Sequence, residues 1–120
     1  MPNTMSTMAA EKPHFVYILR CSDQTLYTGL TTEPERRYEE HRSRGKKCAK
    51  YTYAHPVVCM EALWETGGKV QAAKLESKIK SLPRDKKLEL IAGNETLIGS
   101  VEGCVRIEVP QKLKKETVNE

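Results

Sequence analysis

The chain lacks the features that would place it in several specialised classes of protein. Its four cysteines lie far apart, with no C-x-x-C pair among them; they are Cys21, Cys48, Cys59 and Cys104. This spacing argues against a disulfide framework and against the common zinc motifs, and it fits a reducing, cytoplasmic setting. Cys48, His55 and Cys59 could bind a metal in principle, although ordinary core and loop positions explain them more simply.

Long apolar runs and targeting signals are also missing. No apolar segment approaches the ~20 residues of a membrane-spanning helix, so we expect no membrane association. Residues 1–13 show neither a periodic pattern nor the charged and apolar regions of a cleavable signal, and we expect a flexible leader there. A length of 120 residues, with 38% hydrophobic and 30% charged residues, predicts one soluble, globular domain.

The positive charge is concentrated in two stretches of the chain. Residues 36–50 and residues 69–87 each contain seven basic side chains against two acidic ones, although the net charge is only +4. Two such stretches on one face would bind a phosphate backbone in a salt-dependent way. The charge pattern alone fits a pair of solvated helix faces equally well.

Two short runs of β-branched and aromatic residues predict an antiparallel hairpin. They span residues 15–19 and 25–29, and the segment Ser22-Asp23-Gln24 between them has the composition of a turn. Gly29 ends the second strand, where the backbone must turn sharply or let another group approach closely. A nearly continuous apolar run over residues 57–64 predicts a third, buried strand.

A first helix is predicted between the hairpin and the third strand. Thr32 and Glu35 form a capping-box pattern, and Pro34 is tolerated in the first turn. The helix is expected to run to about Arg44 and to stop at Gly45. A basic loop that carries tyrosines is predicted to follow over residues 46–55.

Two further helices complete the predicted domain over residues 14–94. The apolar stripe of residues 70–82 predicts the second helix, and Pro83 begins a short third one. The order β-β-α-β-α-α predicts an α+β fold with a small three-stranded, mainly antiparallel sheet flanked by helices. In the extension over residues 95–120, the alternation of residues 104–109 predicts an additional edge strand, and the end of the chain is expected to be mobile.

Five polar side chains are candidates for chemistry. Tyr17 and Tyr27 lie on the two strands of the predicted hairpin, where side chains across the ladder meet on one face. Arg37 and His41 are spaced i, i+4 on the first helix and therefore share a face. Glu76 falls at the border of an apolar stripe, where a carboxylate is costly without a partner or a metal. Each residue taken alone also fits a structural role, such as ring packing or a salt bridge.

Taken in order, several segments resemble the GIY-YIG nuclease family. They are Val16-Tyr17-Ile18, Leu26-Tyr27-Thr28-Gly29, Glu35-Arg36-Arg37-Tyr38 with His41, Ala73 to Lys80, and Asp85-Lys86-Lys87. The segment Ala49-Lys50-Tyr51-Thr52 is similar to the small stand-alone branch of that family. Phe15-Val16 replaces the Gly-Ile of the signature and Thr28 replaces its central Ile, but both tyrosines are kept.

The resemblance implies hydrolysis of phosphodiester bonds with one divalent metal, Mg²⁺ or Mn²⁺. Glu76 matches the metal ligand, and Arg37 matches the arginine that stabilises charge on the phosphate. Tyr17 and Tyr27 match the signature phenols, of which one would serve the general base and the other would bind phosphate. We favour Tyr17 as the base, which requires nearby cations, the metal or His41 to lower the pKa of a phenol from ~10.

The resemblance also implies DNA as the partner, with single-stranded or branched forms favoured over a particular sequence. Residues expected to contact nucleic acid are Gly29, Arg36, Arg44, Lys46, Lys47, Lys50, Tyr51 and Lys80. The predicted protein is thus an endonuclease of DNA repair or processing. Two alternatives stay open: a binding module that cuts nothing, and a protein-interaction domain that meets an acidic partner.

Overall fold

An antiparallel four-stranded sheet organises the chain. The computed structural model describes residues 12–99 and 103–114. The strands are β1 (His14–Cys21), β2 (Leu26–Thr31), β3 (Val57–Thr66) and β4 (Cys104–Ile107). Their order is β2-β1-β3-β4, and each neighbouring pair is antiparallel. The predicted α+β class, the hairpin, the third strand and the additional edge strand are therefore confirmed. Most of the predicted leader and the end of the chain lie outside the described residues.

Four helices flank the sheet in the described part of the chain. They are α1 (Pro34–Ser43), α2 (Lys50–Ala54), α3 (Lys69–Lys80) and α4 (Arg84–Ile91), and 3-10 turns lie at Glu95–Ile98 and Gln111–Leu113. Helices α1, α3 and α4 begin and end within two residues of the predicted bounds. None of the helices in these ranges has the length and apolar character needed to cross a membrane.

The start of α1 differs from the predicted capping box. Glu33 precedes the first helical residue, Pro34, and no side chain caps the helix. The hydroxyl of Thr31, the last residue of β2, accepts a hydrogen bond from the Glu33 amide at 3.0 Å. This turn at the strand end takes the place of a cap at Thr32, so that assignment was wrong. Arg44, in a left-handed conformation with φ of 57°, ends the helix.

Helix α2 was wrongly predicted as a loop. It spans five residues, too few to show a helical period in the sequence, and isolated helices of this length are unstable in water. Tertiary contacts hold it: the Thr52 side chain is fully buried, and the Tyr51 ring stacks on the Tyr27 ring of β2 with centroids 5.7 Å apart. Residues 50–54 of the predicted basic loop thus form a short helix, with Thr52 buried against the domain.

The two faces of the sheet are covered by different elements. Strand β1 alternates, so that Val16 and Ile18 lie in one apolar cluster with residues of α3 and α4. Tyr17 and Leu19 lie in a second cluster with Tyr38 of α1 and residues of the C-terminal segment. This alternation follows from the period of two along a strand. It places the candidate tyrosines on the α1 side of the sheet.

Candidate active site

The side chain of Tyr17, a residue of β1, extends across the neighbouring edge strand β2. Tyr17 pairs with Gly29 in the β1–β2 register, and a Cβ atom on Gly29 would lie only 2.5 Å from Cζ of the Tyr17 ring. The absence of a side chain at Gly29 therefore lets the phenol cross β2. Of the two possibilities raised by the sequence, close approach applies, because β2 continues beyond Gly29 to Thr31.

A buried chain of hydrogen bonds begins at the Tyr17 hydroxyl. Its oxygen lies 2.8 Å from Nε2 of His41, and Nδ1 of His41 lies 2.6 Å from Oγ1 of Thr52. The His41 and Thr52 side chains are both fully buried. Strand β1, helix α1 and helix α2 thus each contribute one member of a continuous polar chain inside the protein.

His41 is neutral in this environment. The pKa of its imidazole is lowered from 6.5 to about 4, chiefly by burial and also by the nearby Arg37 guanidinium, while Glu40 opposes the shift. Desolvation disfavours the charged form of a histidine, and a neighbouring cation acts in the same direction. The imidazole therefore carries one proton on one of its two nitrogens at neutral pH.

The Tyr17 phenol is also neutral, contrary to our expectation from the sequence. Burial raises its pKa above the usual value, the Tyr27 phenol and the Glu76 carboxylate raise it as well, and only Arg37 lowers it. The sequence identified the cation but not the desolvation, because the sequence does not give the burial of a side chain. A preformed phenolate at Tyr17 is therefore not available as the base.

Arg37 is held firmly beside these two groups. Its guanidinium donates hydrogen bonds to Oε1 of Glu40 at 2.7 Å and to the carbonyl of Lys47 at 2.6 Å. A guanidinium with fixed orientation is well suited to stabilise charge that develops on a phosphate. The positions of Arg37 and His41 on one face of α1 agree with their i, i+4 spacing.

Tyr27 joins the site to helix α2 through its ring. Its centroid lies 6.4 Å from that of Tyr17, 5.2 Å from that of His41 and 5.7 Å from that of Tyr51. Tyr51 stacks on both Tyr27 and His55. The ring of Tyr51 is thus occupied by protein contacts, so a DNA contact from this residue would use its hydroxyl or ring edge.

Glu76 supplies the one carboxylate expected to hold a metal. Its side chain is 23% exposed and pairs with Nζ of Lys80 at 3.3 Å, and its charge is close enough to raise the pKa of Tyr17. Residues 12–99 and 103–114 contain no group of three or more His, Cys, Asp or Glu side chains that could hold a metal. Cys48, His55 and Cys59 thus do not come together as such a group in these ranges. A single half-buried carboxylate fits magnesium, which takes one or two carboxylates together with waters and phosphate oxygens.

The two basic stretches meet the site at defined points. The Lys47 carbonyl holds Arg37, and the Lys80 ammonium pairs with Glu76. Arg36 pairs with Glu33 at 3.1 Å, and the Arg44 guanidinium lies 5.3 Å from the centroid of the Tyr53 ring. Lys46 and Lys50 are exposed to solvent. The predicted contacts of all these residues with nucleic acid stay predictions.

Thr52 and Glu40 belong to the site although the sequence did not identify them. Thr52 bonds to His41, and Glu40 orients Arg37. Thr52 lies in the segment Ala49–Thr52, which carries part of the family resemblance, and that membership could have identified it as a site residue. Glu40 lies one helical turn after Arg37, a spacing common to many surface ion pairs and therefore uninformative.

The chain is similar to known proteins over most of its length. The GIY-YIG catalytic domain family matches residues 13–89. A UPF0213 protein of Fusobacterium nucleatum is 36% identical over 96 residues, which cover 80% of this chain and 94% of that protein. A UPF0213 protein of Natronomonas pharaonis is 45% identical over 85 residues, which cover 71% and 95% of the two chains. The solution NMR structure of a UPF0213 protein from Bacillus halodurans is 35% identical and covers 75% and 97% of the two chains, with a TM-score of 0.41.

The family match and the sequence relatives define a GIY-YIG nuclease-type domain, and the family resemblance found in the sequence is confirmed. The chain belongs to the GIY-YIG catalytic-domain family, and its relatives of similar length are UPF0213 proteins. A domain of this kind implies a nucleic-acid substrate and hydrolytic chemistry.

Proposed function

We propose that the protein is a metal-dependent endonuclease that hydrolyses phosphodiester bonds of DNA. The observation that carries this proposal is the 2.8 Å contact between the Tyr17 hydroxyl and Nε2 of His41, with Arg37 held beside it. Such a pair can move a proton, and the adjacent guanidinium can stabilise a phosphate. We further propose that the enzyme selects single-stranded or branched DNA by shape and acts in repair or processing, since base contacts rather than phosphate contacts give sequence selectivity.

Tyr17 would relay a proton rather than act as a phenolate. Attacking water gives a proton to the Tyr17 oxygen while Tyr17 passes its own proton to Nε2 of His41. The phenol then carries no full negative charge at any stage, so its raised pKa does not prevent the reaction. Protonation of His41 costs energy in its buried site, and the negative charge gathering on the nearby phosphate offsets part of that cost.

Arg37 and Glu76 would act on the phosphate itself. Arg37 stabilises the additional negative charge of the transition state, and Tyr27, on the same face as Tyr17, binds a phosphate oxygen. Glu76 would hold a magnesium or manganese ion, which when bound supplies positive charge to polarise the phosphate. Because the Lys80 partner of Glu76 is 56% exposed, it can leave the carboxylate without creating a buried charge.

The test is cleavage of end-labelled single-stranded and branched DNA with Mg²⁺ or Mn²⁺. We expect cutting by wild type and a loss of at least about 10²-fold in both Tyr17→Phe and Glu76→Gln, the lower limit usual for general acid–base catalysis. Tyr38→Phe is a matched control, because Tyr38 is also buried and its hydroxyl bonds to the Val58 carbonyl instead. Glu89→Gln, on α4 and paired with Lys86, is the control for the lost carboxylate.

The outcomes separate an enzyme from a binding module. Metal-dependent cutting that is lost in the two site variants and kept in the two controls would support the proposal. Salt-sensitive binding of DNA without cutting, over both metals and all substrate shapes, would favour the non-catalytic module. Absence of any DNA binding at low salt would leave the protein-interaction domain as the better explanation.

A further inference from the structure

We propose that Thr52 is a positioning residue that fixes the tautomer of His41 and so makes Tyr17 the proton donor of the pair. This inference rests on the proposed function, which gives the Tyr17–His41 pair its use. Its observation is independent: Oγ1 of Thr52 lies 2.6 Å from Nδ1 of His41 and 3.2 Å from the Ala49 carbonyl oxygen. Both side chains are fully buried, so water does not compete for these bonds.

The protons can be assigned from the partners of the Thr52 hydroxyl. A hydroxyl has one proton to donate and two lone pairs to accept with. The Ala49 carbonyl can only accept, and with the Thr52 proton directed there Nδ1 of His41 is left to donate to Oγ1. Threonine in a helix commonly bonds back to the carbonyl of the preceding turn in this way.

The Cys48 thiol does not alter this assignment. Its sulfur lies 3.2 Å from Oγ1 of Thr52, with the carbonyls of His41 and Ala49 at 3.4 and 3.3 Å. If Thr52 donates to the sulfur instead of to Ala49, its proton is again directed away from His41. In either case Oγ1 accepts from His41, and Nδ1 carries the imidazole proton.

The Tyr17 end of the chain gives the same answer. Within residues 12–99 and 103–114, His41 is the acceptor that lies within hydrogen-bonding distance of the Tyr17 hydroxyl. A proton on Nε2 would make the phenol oxygen the acceptor in this bond and leave the buried phenol proton without a partner. With the proton on Nδ1, Nε2 offers its lone pair to Tyr17. The hydrogen bond that one imidazole nitrogen makes thus sets the role of the other.

The substitution Thr52→Val removes the hydroxyl while keeping the branched shape. We expect His41 to shift towards the tautomer protonated on Nε2, which ¹⁵N NMR of the imidazole nitrogens detects without any activity. We expect cleavage to fall by about 10²-fold, within the range for loss of general-base catalysis, with little change in DNA affinity. Thr52→Ser retains the hydroxyl and should retain both the tautomer and most of the rate.

Cys48→Ala is the matched control, because it removes the thiol contact of Thr52 and leaves the bond to His41. It should keep the wild-type tautomer. Protonation of Nε2 in wild type, or a Thr52→Val protein that keeps Nδ1 protonated and cuts at the wild-type rate, would overturn the proposal. The wild-type NMR measurement decides the point even if Thr52→Val does not fold. A wild-type protein that cuts no DNA would reject the proposed function and leave the tautomer assignment to stand or fall on the spectrum.

Discussion

The two faces of the sheet differ in what they bury. The α3–α4 face buries a large cluster of apolar side chains, among them Val16, Ile18, Leu75 and Ile79, each fully buried. The α1–α2 face buries a tyrosine, a histidine and a threonine that are joined by hydrogen bonds. Neighbouring residues of strand β1 point to opposite faces. Residues that pack in the apolar cluster therefore alternate along the strand with residues of the polar face.

The comparison separates the source of stability from the place of chemistry. Burial of apolar area stabilises a fold by about 25 cal/mol per Å², without regard to direction. A buried polar group instead costs free energy unless a partner satisfies it, and the partners fix its orientation and protonation. We therefore expect substitutions on the first face to change stability and substitutions on the second to change activity and pH dependence.

Leu75→Ala should show the largest loss of stability, and it tests whether the apolar face of the sheet contributes to stability and not to activity. Leu75 is fully buried in the cluster under α3. Removing its side chain should lower the free energy of unfolding by about 2–5 kcal/mol, since the surroundings only partly close the cavity. Urea denaturation measures the change, and the cleavage rate of the folded fraction should stay near that of wild type. A selective loss of rate at unchanged stability would break the comparison.

Gly29→Ala should act mainly on the polar face. The added Cβ would overlap the Tyr17 ring, which is buried and bonded to His41 and so cannot move away freely. We expect a loss of about 1–3 kcal/mol from overpacking and a fall in cleavage rate of about 10²-fold from displacement of a reacting group. Gly67→Ala is the control, because nothing lies within 4 Å of its Cβ position. Equal effects of the two substitutions would show that the Tyr17 contact is not the cause.

The pH dependence of stability should report the buried His41. The pKa of His41 is 6.5 in the unfolded chain and about 4 in the folded protein. The folded protein therefore keeps its full stability above pH 6.5, and it loses stability below that value because the unfolded chain takes up a proton there. We expect the free energy of unfolding to fall by about 2 kcal/mol between pH 7 and pH 5. The lowered pKa values of Asp23 and Glu40 act at more acidic pH. In His41→Gln the free energy of unfolding should change much less between pH 7 and pH 5. An equally steep change in that variant would mean that a group other than His41 takes up the proton.

Val70→Ala should have the smallest effect and calibrate the others. Val70 lies on α3 with Leu75 but is 63% exposed. Substitution at an exposed position without special contacts usually changes stability by less than about 0.5 kcal/mol. Thermal unfolding beside Leu75→Ala compares two apolar truncations on one helix. A large loss at Val70 would mean that the exposed surface of α3 is covered in solution.

The sequence predicted the strands and the three longer helices, in their succession along the chain, because their patterns repeat over several residues. It also identified the five side chains of the family signature. The structure brings the rings of Tyr17, Tyr27 and His41 together and places Arg37 and Glu76 near Tyr17. It missed helix α2, whose five residues show no period. It also wrongly placed a cap of α1 at Thr32. Thr31 and Thr32 are neighbours with the same hydroxyl group, and the sequence does not show which of them bonds to the backbone at the start of the helix.

What the sequence determined by itself was the architecture and the kind of chemistry, since periodicity and residue type are local properties of the chain. Only the tertiary structure decided the charge and proton positions of the site. Burial raises the pKa of Tyr17 and lowers that of His41, and Thr52 meets His41 only because α2 packs against α1. Desolvation and hydrogen-bond partners depend on residues far apart in the chain, and for that reason the fold alone sets the protonation of the site.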